Sequence, residues 1–413
     1  MTATAQTWQG DVRVISAVSI AHGLSHFFQL TLPPLFPAMK EEFGVGYAEL
    51  GMVTGLFYGV SGVCQFGAGF VVDRFGTKPV LLLGLALLAA STMAAGLAPN
   101  YWALLPLAVV AGIGNCVFHP ADFAVLNARV GAQRLGRAYG AHGLAGNIGW
   151  VLAPLCGVAL SKLFGWREAV VIMGAAGLGA AAILYWHREL IDDHLGERRR
   201  KRADTPAAAA SSAEVLLQRT ILMCFAYFFL LSTALVGLQA FAVPASMAMF
   251  NLSDTLAAKS LTLFLVGSSV GIILGAVLAD RTQRHHIVAV VGLLTGASLI
   301  LLAVLEPVPA VYGLPVLMAL SGFAVGTTGP SRDSIVRRAT PPGSSGRIYG
   351  FVYSGLDLGS TLAPSAFGLL VDRGAPVGVY AVVIGALVMA VFSVLDVRRQ
   401  IVVRDGAAAS PAD

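Results

Sequence analysis

Charge is what this chain has least of: Asp, Glu, Lys and Arg make up 12% of its 413 residues, about half the share of an ordinary soluble domain. That scarcity excludes a solvated globular surface. With 56% hydrophobic residues and a mean hydropathy of +0.76, the chain is expected to live in lipid. Cysteine is scarce too. Cys64, Cys116, Cys156 and Cys224 all fall in apolar runs without C-x-x-C spacing, which excludes a disulfide framework and a thiolate metal site and leaves them as small packing residues. No ATP-binding loop, cofactor motif or paired nucleophile and base occurs, so neither an enzyme nor an ATP-driven pump is expected, and no cofactor. The net charge of +5 does not point to nucleic acid, because the basic residues are scattered over short loops and form no single face. The N-terminal MTATAQTWQGDVRV has no leader pattern, so the first apolar run is expected to be a retained helix.

What the chain does hold is long apolar runs, which repeatedly exceed the ~20 residues needed to cross ~30 Å of hydrocarbon. They predict twelve spans, at roughly 13–38, 47–72, 79–98, 102–126, 136–161, 167–187, 218–245, 255–280, 286–305, 310–335, 346–371 and 375–397. The chain is also doubled. GRAYGAHGLAGNIGWVLAP at 136–154 returns 210 residues later as GRIYGFVYSGLDLGSTLAP at 346–364, and Pro120 falls on Pro330 in the same frame. A period this long marks a duplicated half-protein, the internal symmetry of secondary transporters. The expected division is an N-terminal six-helix bundle over 1–187, a cytoplasmic linker over 188–217, a C-terminal six-helix bundle over 218–400 and a tail over 401–413. An even span count puts both termini on one side. Of the 27 Lys and Arg residues, 22 then fall on the side of the termini, which makes that side cytoplasmic by the positive-inside rule. Within the linker, the basic run Arg198 to Arg202 reads as a topology anchor, with anionic lipid headgroups as its other reading.

Between the second and third spans stands Gly69-Phe-Val-Val-Asp73-Arg74-Phe-Gly76-Thr-Lys78, and after the eighth Gly275-Ala-Val-Leu-Ala-Asp280-Arg281, without the inner glycine. These segments resemble the G-x-x-x-D-R-x-G-x-[RK] signature of the major facilitator superfamily, and the twelve-span plan extends the resemblance over nearly the whole chain. It implies an all-α integral membrane fold of two pseudo-symmetric six-helix bundles. It also implies that Gly69, Asp73, Arg74, Gly76, Lys78, Asp280 and Arg281 form conformational-switch loops. Physically, Gly69 would admit a neighbouring helix, Gly76 would permit a tight turn, and Asp73 would sit favourably at a helix N-terminus. The glycines around Pro154 resemble the family's antiporter motif, with Ala153 where that motif has glycine. The same layout around Pro364 suggests duplicated scaffold instead. Ala108 stands where drug exporters of the family often carry an arginine.

Ionisable residues inside spans carry the functional information, since each costs several kcal/mol in lipid unless it faces a cavity or a partner. His22 and His26 lie one turn apart on the first span, with Gln29 on the next turn. His119 and Asp122 are on the fourth, His142 and Asn147 on the fifth, Arg332 and Asp333 on the tenth, and Tyr353 and Asp357 on the eleventh. The resemblance implies that the first, fourth, seventh and tenth spans line the central cavity. It therefore favours His22, His26, Gln29, His119, Asp122 and Arg332, with Asn147, Tyr353 and Asp357 as further substrate or proton candidates. His142, alone on its span, reads as a packing residue. Asp333 is expected to pair with Arg337 along its helix, and His285 and His286 are expected to lie in a cytoplasmic loop without a role. No H-x-x-x-H with an adjacent carboxylate occurs on one segment, so no metal site is expected.

His22-Gly-Leu-Ser-His26-Phe-Phe-Gln and Val117-Phe-His-Pro120 resemble the fosmidomycin-resistance branch, which implies proton-coupled export of a drug or small organic anion. The residues thus lead to a monomeric secondary transporter of the bacterial inner membrane, working by alternating access on a small-molecule substrate, with protons and membrane lipid as its other partners. Proton-coupled uptake of an organic acid and a transporter-like solute sensor stay open beside it. Because the 210-residue offset places Asp122 on Arg332, a gate between those two charges is expected, with Arg129 and Asp333 as the competing local partners.

Overall fold

The computed structural model describes residues 8–131, 134–193, 217–305, 309–339 and 345–409, and among these every regular element is helical. Fifteen α-helices occur. In the first half they are α1 (Trp8–Gln29), α2 (Phe36–Phe43), α3 (Tyr47–Phe75), α4 (Thr77–Gly96), α5 (Leu104–Asn115), α6 (Phe118–Arg129), α7 (Leu135–Phe164) and α8 (Trp166–Trp186). In the second half they are α9 (Arg219–Phe250), α10 (Asp254–Arg281), α11 (His285–Val304), α12 (Ala310–Gly326), α13 (Gly329–Ala339), α14 (Ser345–Asp372) and α15 (Val377–Ala409). Among the described residues, nine helical stretches are long and apolar enough to cross a membrane by length and composition. The first and eleventh spans, α1 and α14, are not among the nine, and these helices carry His22 and His26 and Asp357 respectively. The chain separates into two compact units, one of residues 1–45 with 52–207 and one of residues 46–51 with 208–413.

Proline and glycine set the local breaks. The fourth span divides into α5 and α6 because Pro120 lacks an N–H and its ring clashes with the carbonyl four residues back, that of Cys116, where α5 has just ended. The tenth divides in the same way, with Pro330 in the first turn of α13 and α12 ending at Gly326. Two helix junctions are single glycines, Gly76 (φ 83°) between α3 and α4 and Gly165 (φ 97°) between α7 and α8, in a region that side chains rarely adopt. The expected switch loop is therefore one residue long: Gly69, Asp73 and Arg74 belong to the last turns of α3. The turn expected of Gly76 is present. Among the described residues, a Cβ on Gly69 would meet nothing within 4 Å.

In the first unit, the residues after α8 fasten back onto the bundle. Thr77 N donates to Asp193 Oδ1 at 3.2 Å and Thr77 Oγ1 to Ile191 O at 2.6 Å. Lys78 Nζ lies 3.0 Å from Glu189 and 2.8 Å from Asp192, and Arg129 Nη1 donates to the carbonyls of Glu189 and Asp192. A carboxylate at the start of α4 is thus that of Asp193, from outside the signature segment, because six residues of the expected linker fold against that helix. The remainder of the linker, with Arg198 to Arg202, lies outside the described residues. In the second unit, α10 and α12 meet along a glycine seam. A Cβ on Gly267, Gly271 or Gly275 would strike the carbonyls of Ala319, Phe323 and Thr327, and one on Gly322 or Gly326 those of Phe264 and Ser268. Without a hydrophobic drive between helices in lipid, such backbone contact is what packs them. Gly275, read from sequence as the opening of a switch motif, is the last rung of this seam. The side chain of Asp280 lies outside the described residues, and Arg281 is exposed at the end of α10. The final helix continues to Ala409, past the expected end of its bundle at 400.

Candidate functional site

Three helices of the first unit bring four histidines and one aspartate together. His22 and His26 project from the same face of α1, because residues four apart are one helical turn apart. Their ring centroids are 4.4 Å apart. Across from them α6 supplies His119 and Asp122, and α7 supplies His142. The rings of His22 and His142 stack at 3.6 Å with an interplanar angle of 19°, and His119 lies 5.1 Å from His22. Asp122 is fully buried. Its Oδ2 lies 3.0 Å from His142 Nε2 in a hydrogen bond and 3.2 Å from His22 Nδ1, at an angle outside hydrogen-bonding geometry. The other oxygen, Oδ1, finds no donor among the described residues.

Backbone shape makes this packing possible. α1 and α7 cross where Gly23 meets the carbonyl of Ala145 and Gly149 meets that of Gly23. A Cβ on Gly146 would sit 2.8 Å from two ring atoms of His26 and 3.1 Å from His22 Nε2. The α7 glycines therefore make room for the α1 histidines. On α14, Gly359, which repeats Gly149, and Gly355, which repeats Ala145, meet the backbone of α9 at Phe229 and Phe225, so both copies of the scaffold pack through backbone contact.

The cluster has one accessible member and a buried interior. His119 is exposed, whereas His22 and His142 are buried at 2% and 4% exposure. It also continues along α1 as a polar chain. His26 packs on Trp150 at 4.4 Å, and Trp150 Nε1 donates to Gln29 Oε1 at 3.1 Å. Gln29 Nε2 donates to Asn115 Oδ1 at 3.1 Å, and Asn115 Nδ2 to Ser61 Oγ at 2.8 Å. The donor atoms of His22, His119 and His142 lie within 4.8 Å of one another. This trio could gather a divalent ion, which the sequence spacing did not show because its members come from three helices.

The second unit holds a smaller constellation. Arg332 Nε lies 2.9 Å from Asp333 Oδ1, which also accepts from Tyr353 Oη at 3.2 Å. The guanidinium sits 4.7 Å from the Phe228 ring centroid, and Phe228 packs on Tyr353 at 4.9 Å. Asp333 thus takes Arg332 and Tyr353 in place of the expected Arg337. Arg332 and Asp122 each find their partners inside their own unit. Asp357 is half-buried, without a hydrogen bond to its carboxylate among the described residues. Asn147 only returns a hydrogen bond to Gly143 O on its own helix.

His142 is the member of the cluster that the sequence does not single out, and Trp150, Asn115 and Ser61 are not legible as its neighbours there either. The signal for His142 was its position one turn before Gly146, on the face whose glycines leave room for rings.

The fold and the site together define a multi-span helical membrane transporter. The model of the Major Facilitator Superfamily matches residues 18–258 and 229–410, and the chain belongs to that family. It is 23% identical to the fosmidomycin resistance protein of Escherichia coli strain K12, over 87% of this chain and 86% of that one. It is 24% identical to the uncharacterized MFS-type transporter YfnC of Bacillus subtilis strain 168, over the same shares. A solved structure of a bacterial homolog of the human lysosomal transporter Spinster, inward-facing and unoccupied, matches with a TM-score of 0.78. It covers 96% of this chain and 98% of that one at 16% identity, which speaks for the fold alone.

Proposed function

We propose that this protein is a proton-coupled exporter of a drug or small organic anion, working by alternating access as a monomer in the bacterial inner membrane with both termini cytoplasmic. The observation that carries the reading is the buried carboxylate of Asp122 set between the imidazoles of His22 and His142. A carboxylate buried in an apolar bundle is costly unless a positive partner neutralises it, and an imidazole beside it can supply that charge by taking up a proton. His119, exposed on the turn before Asp122, offers the way in for that proton.

Arg332 supplies the affinity for an anion. Its Nε is taken by Asp333, which leaves the two terminal nitrogens to bind a carboxylate or phosphonate in the bidentate manner of guanidinium. Similarity over 87% of the chain to a protein named for drug resistance supports the outward direction.

The test uses purified protein in sealed liposomes carrying a pH-sensitive dye. Export predicts that an outward substrate gradient drives counter-movement of protons, and that Asp122→Asn abolishes it. Co-directional proton and solute flow would make the protein an importer, and binding without flux would make it a sensor. Solute exchange with no proton movement at any pH would overturn the coupling.

A further inference from the structure

The second unit encloses a cavity of ≈ 690 Å³ at the membrane-surface ends of α11, α13 and α15. Its polar lining is basic: Arg284, His285, His286, Arg338 and Arg398 line it, and no Asp or Glu does among the described residues. Its apolar lining includes Ile287, Val290, Leu395 and Val402. Of these, Ile287, Leu395 and Val402 are 44%, 42% and 60% exposed. His285 and His286 do not lie in a loop, as the sequence reading had them, but form the first two residues of α11. No side-chain cap hydrogen bond closes that helix start, which puts the positive end of the helix dipole at the cavity. His285 is buried at 6% exposure, and its Nδ1 has no hydrogen-bond partner among the described residues. Arg338 is already steered by Gln283, whose carbonyl and side-chain oxygens it contacts.

We infer that this cavity is a binding site for an anionic phospholipid, its phosphate held by Arg284, Arg398 and His285 and its acyl chains laid on Ile287, Val290 and Leu395. Two features select a lipid over a free anion. α11 and α15 are membrane-crossing by length and composition, so a cavity at their ends lies where headgroup meets hydrocarbon. The apolar lining would also be wasted on a bare phosphate, whereas a phospholipid satisfies both linings at once. On the orientation proposed above, the lipid belongs to the inner leaflet, where basic pockets between spanning helices meet anionic headgroups. The site is separate from the histidine cluster and does not depend on the transport reading. A protein that fails to transport but binds this lipid leaves the inference standing.

Lipid retention on the full-length purified protein tests it by native mass spectrometry, with phosphatidylglycerol, phosphatidylcholine and inorganic phosphate titrated separately. Wild type is expected to retain phosphatidylglycerol over phosphatidylcholine. The double change Arg284→Gln with Arg398→Gln should weaken phosphatidylglycerol retention roughly thirtyfold, the effect of removing two basic residues from an anionic surface. Phosphatidylcholine retention should not change. Val290→Trp, which narrows the cavity at its apolar lining and leaves every charge in place, should also release phosphatidylglycerol, and it decides the matter if the arginine variant does not fold. Equal retention of the two lipids by wild type, or undiminished phosphatidylglycerol on a folded variant, would overturn the assignment. Binding of inorganic phosphate as tight as that of phosphatidylglycerol would overturn it as well, since the site would then be one for a bare anion.

Discussion

Nε2 of His142 meets Oδ2 of Asp122 at 3.0 Å inside the first unit, with both side chains at 5% exposure or less. That bond joins α7 to α6, and the stacked His22 ring brings α1 into the same contact. A change in the charge of one imidazole is therefore felt by three helices at once, which links proton occupancy to helix packing.

The first expectation concerns that bond. Asp122→Asn keeps the shape of the side chain but cannot carry charge. Substrate-driven proton movement should vanish, and thermal unfolding should show a loss of about 1–3 kcal/mol, the range for an impaired buried hydrogen bond. His142→Gln should act in the same direction. Undiminished proton coupling in both variants would reduce the cluster to packing.

A pair of neighbouring glycines separates site geometry from helix propensity. Gly146→Ala places a methyl group 2.8 Å from the His26 ring, so transport should fall and stability should drop by roughly 1–3 kcal/mol through overpacking. Gly143→Ala on the same helix meets nothing within 4 Å and should transport like wild type. Equal behaviour of the two would show that the histidines tolerate displacement.

For the anion anchor, Arg332→Lys retains the charge and loses the fork. Binding of organic anions should weaken roughly tenfold, since a point charge does not replace bidentate contact. Calorimetry with the same ligand on Tyr353→Phe should show a much smaller change, because that phenol donates its hydrogen bond to Asp333. Unchanged affinity in Arg332→Lys would leave Arg332 as a structural partner of Asp333.

The glycine seam should be the least tolerant surface of the second unit. Gly271→Val drives a branched side chain into the Phe323 carbonyl. We expect failure to accumulate in the membrane or a fall in unfolding temperature corresponding to about 3 kcal/mol or more. Wild-type stability would mean that α10 and α12 can separate at little cost.

A pH effect on stability is expected at the junction of α2 and α8. Burial works to raise the pKa of Glu42, but hydrogen bonds from Arg167 at 2.6 Å and Trp166 at 2.5 Å outweigh it and hold the carboxyl below its ordinary 4.5. A carboxylate depressed in the folded state stabilises above its unfolded pKa, and the contribution disappears as pH falls through the folded value. Melting curves of wild type and Glu42→Gln should therefore differ at neutral pH and converge as the pH falls below the ordinary 4.5 and through the depressed folded value. Curves that stay parallel down to acid would contradict this.

By itself, the sequence determined the class. Scarce charge, long apolar runs and a 210-residue repeat are properties of composition and order, and lipid admits few backbones that satisfy every N–H and C=O internally. The same holds for the breaks at Pro120 and Pro330 and the turn at Gly76, which follow from one residue's own stereochemistry. What only the tertiary structure decided is which distant side chains meet. His142 joins the cluster because α7 lies against α1, Asp193 bonds the start of α4 because the chain after α8 folds back, and His285 becomes part of a basic cavity through α13 and α15. None of these contacts is local, so spacing along one helix could not reveal them. Asp122 and Arg332 show the same limit: their shared repeat position suggests a pair, while the neighbours that each has inside its own unit, His142 for Asp122 and Asp333 for Arg332, were not legible from the repeat.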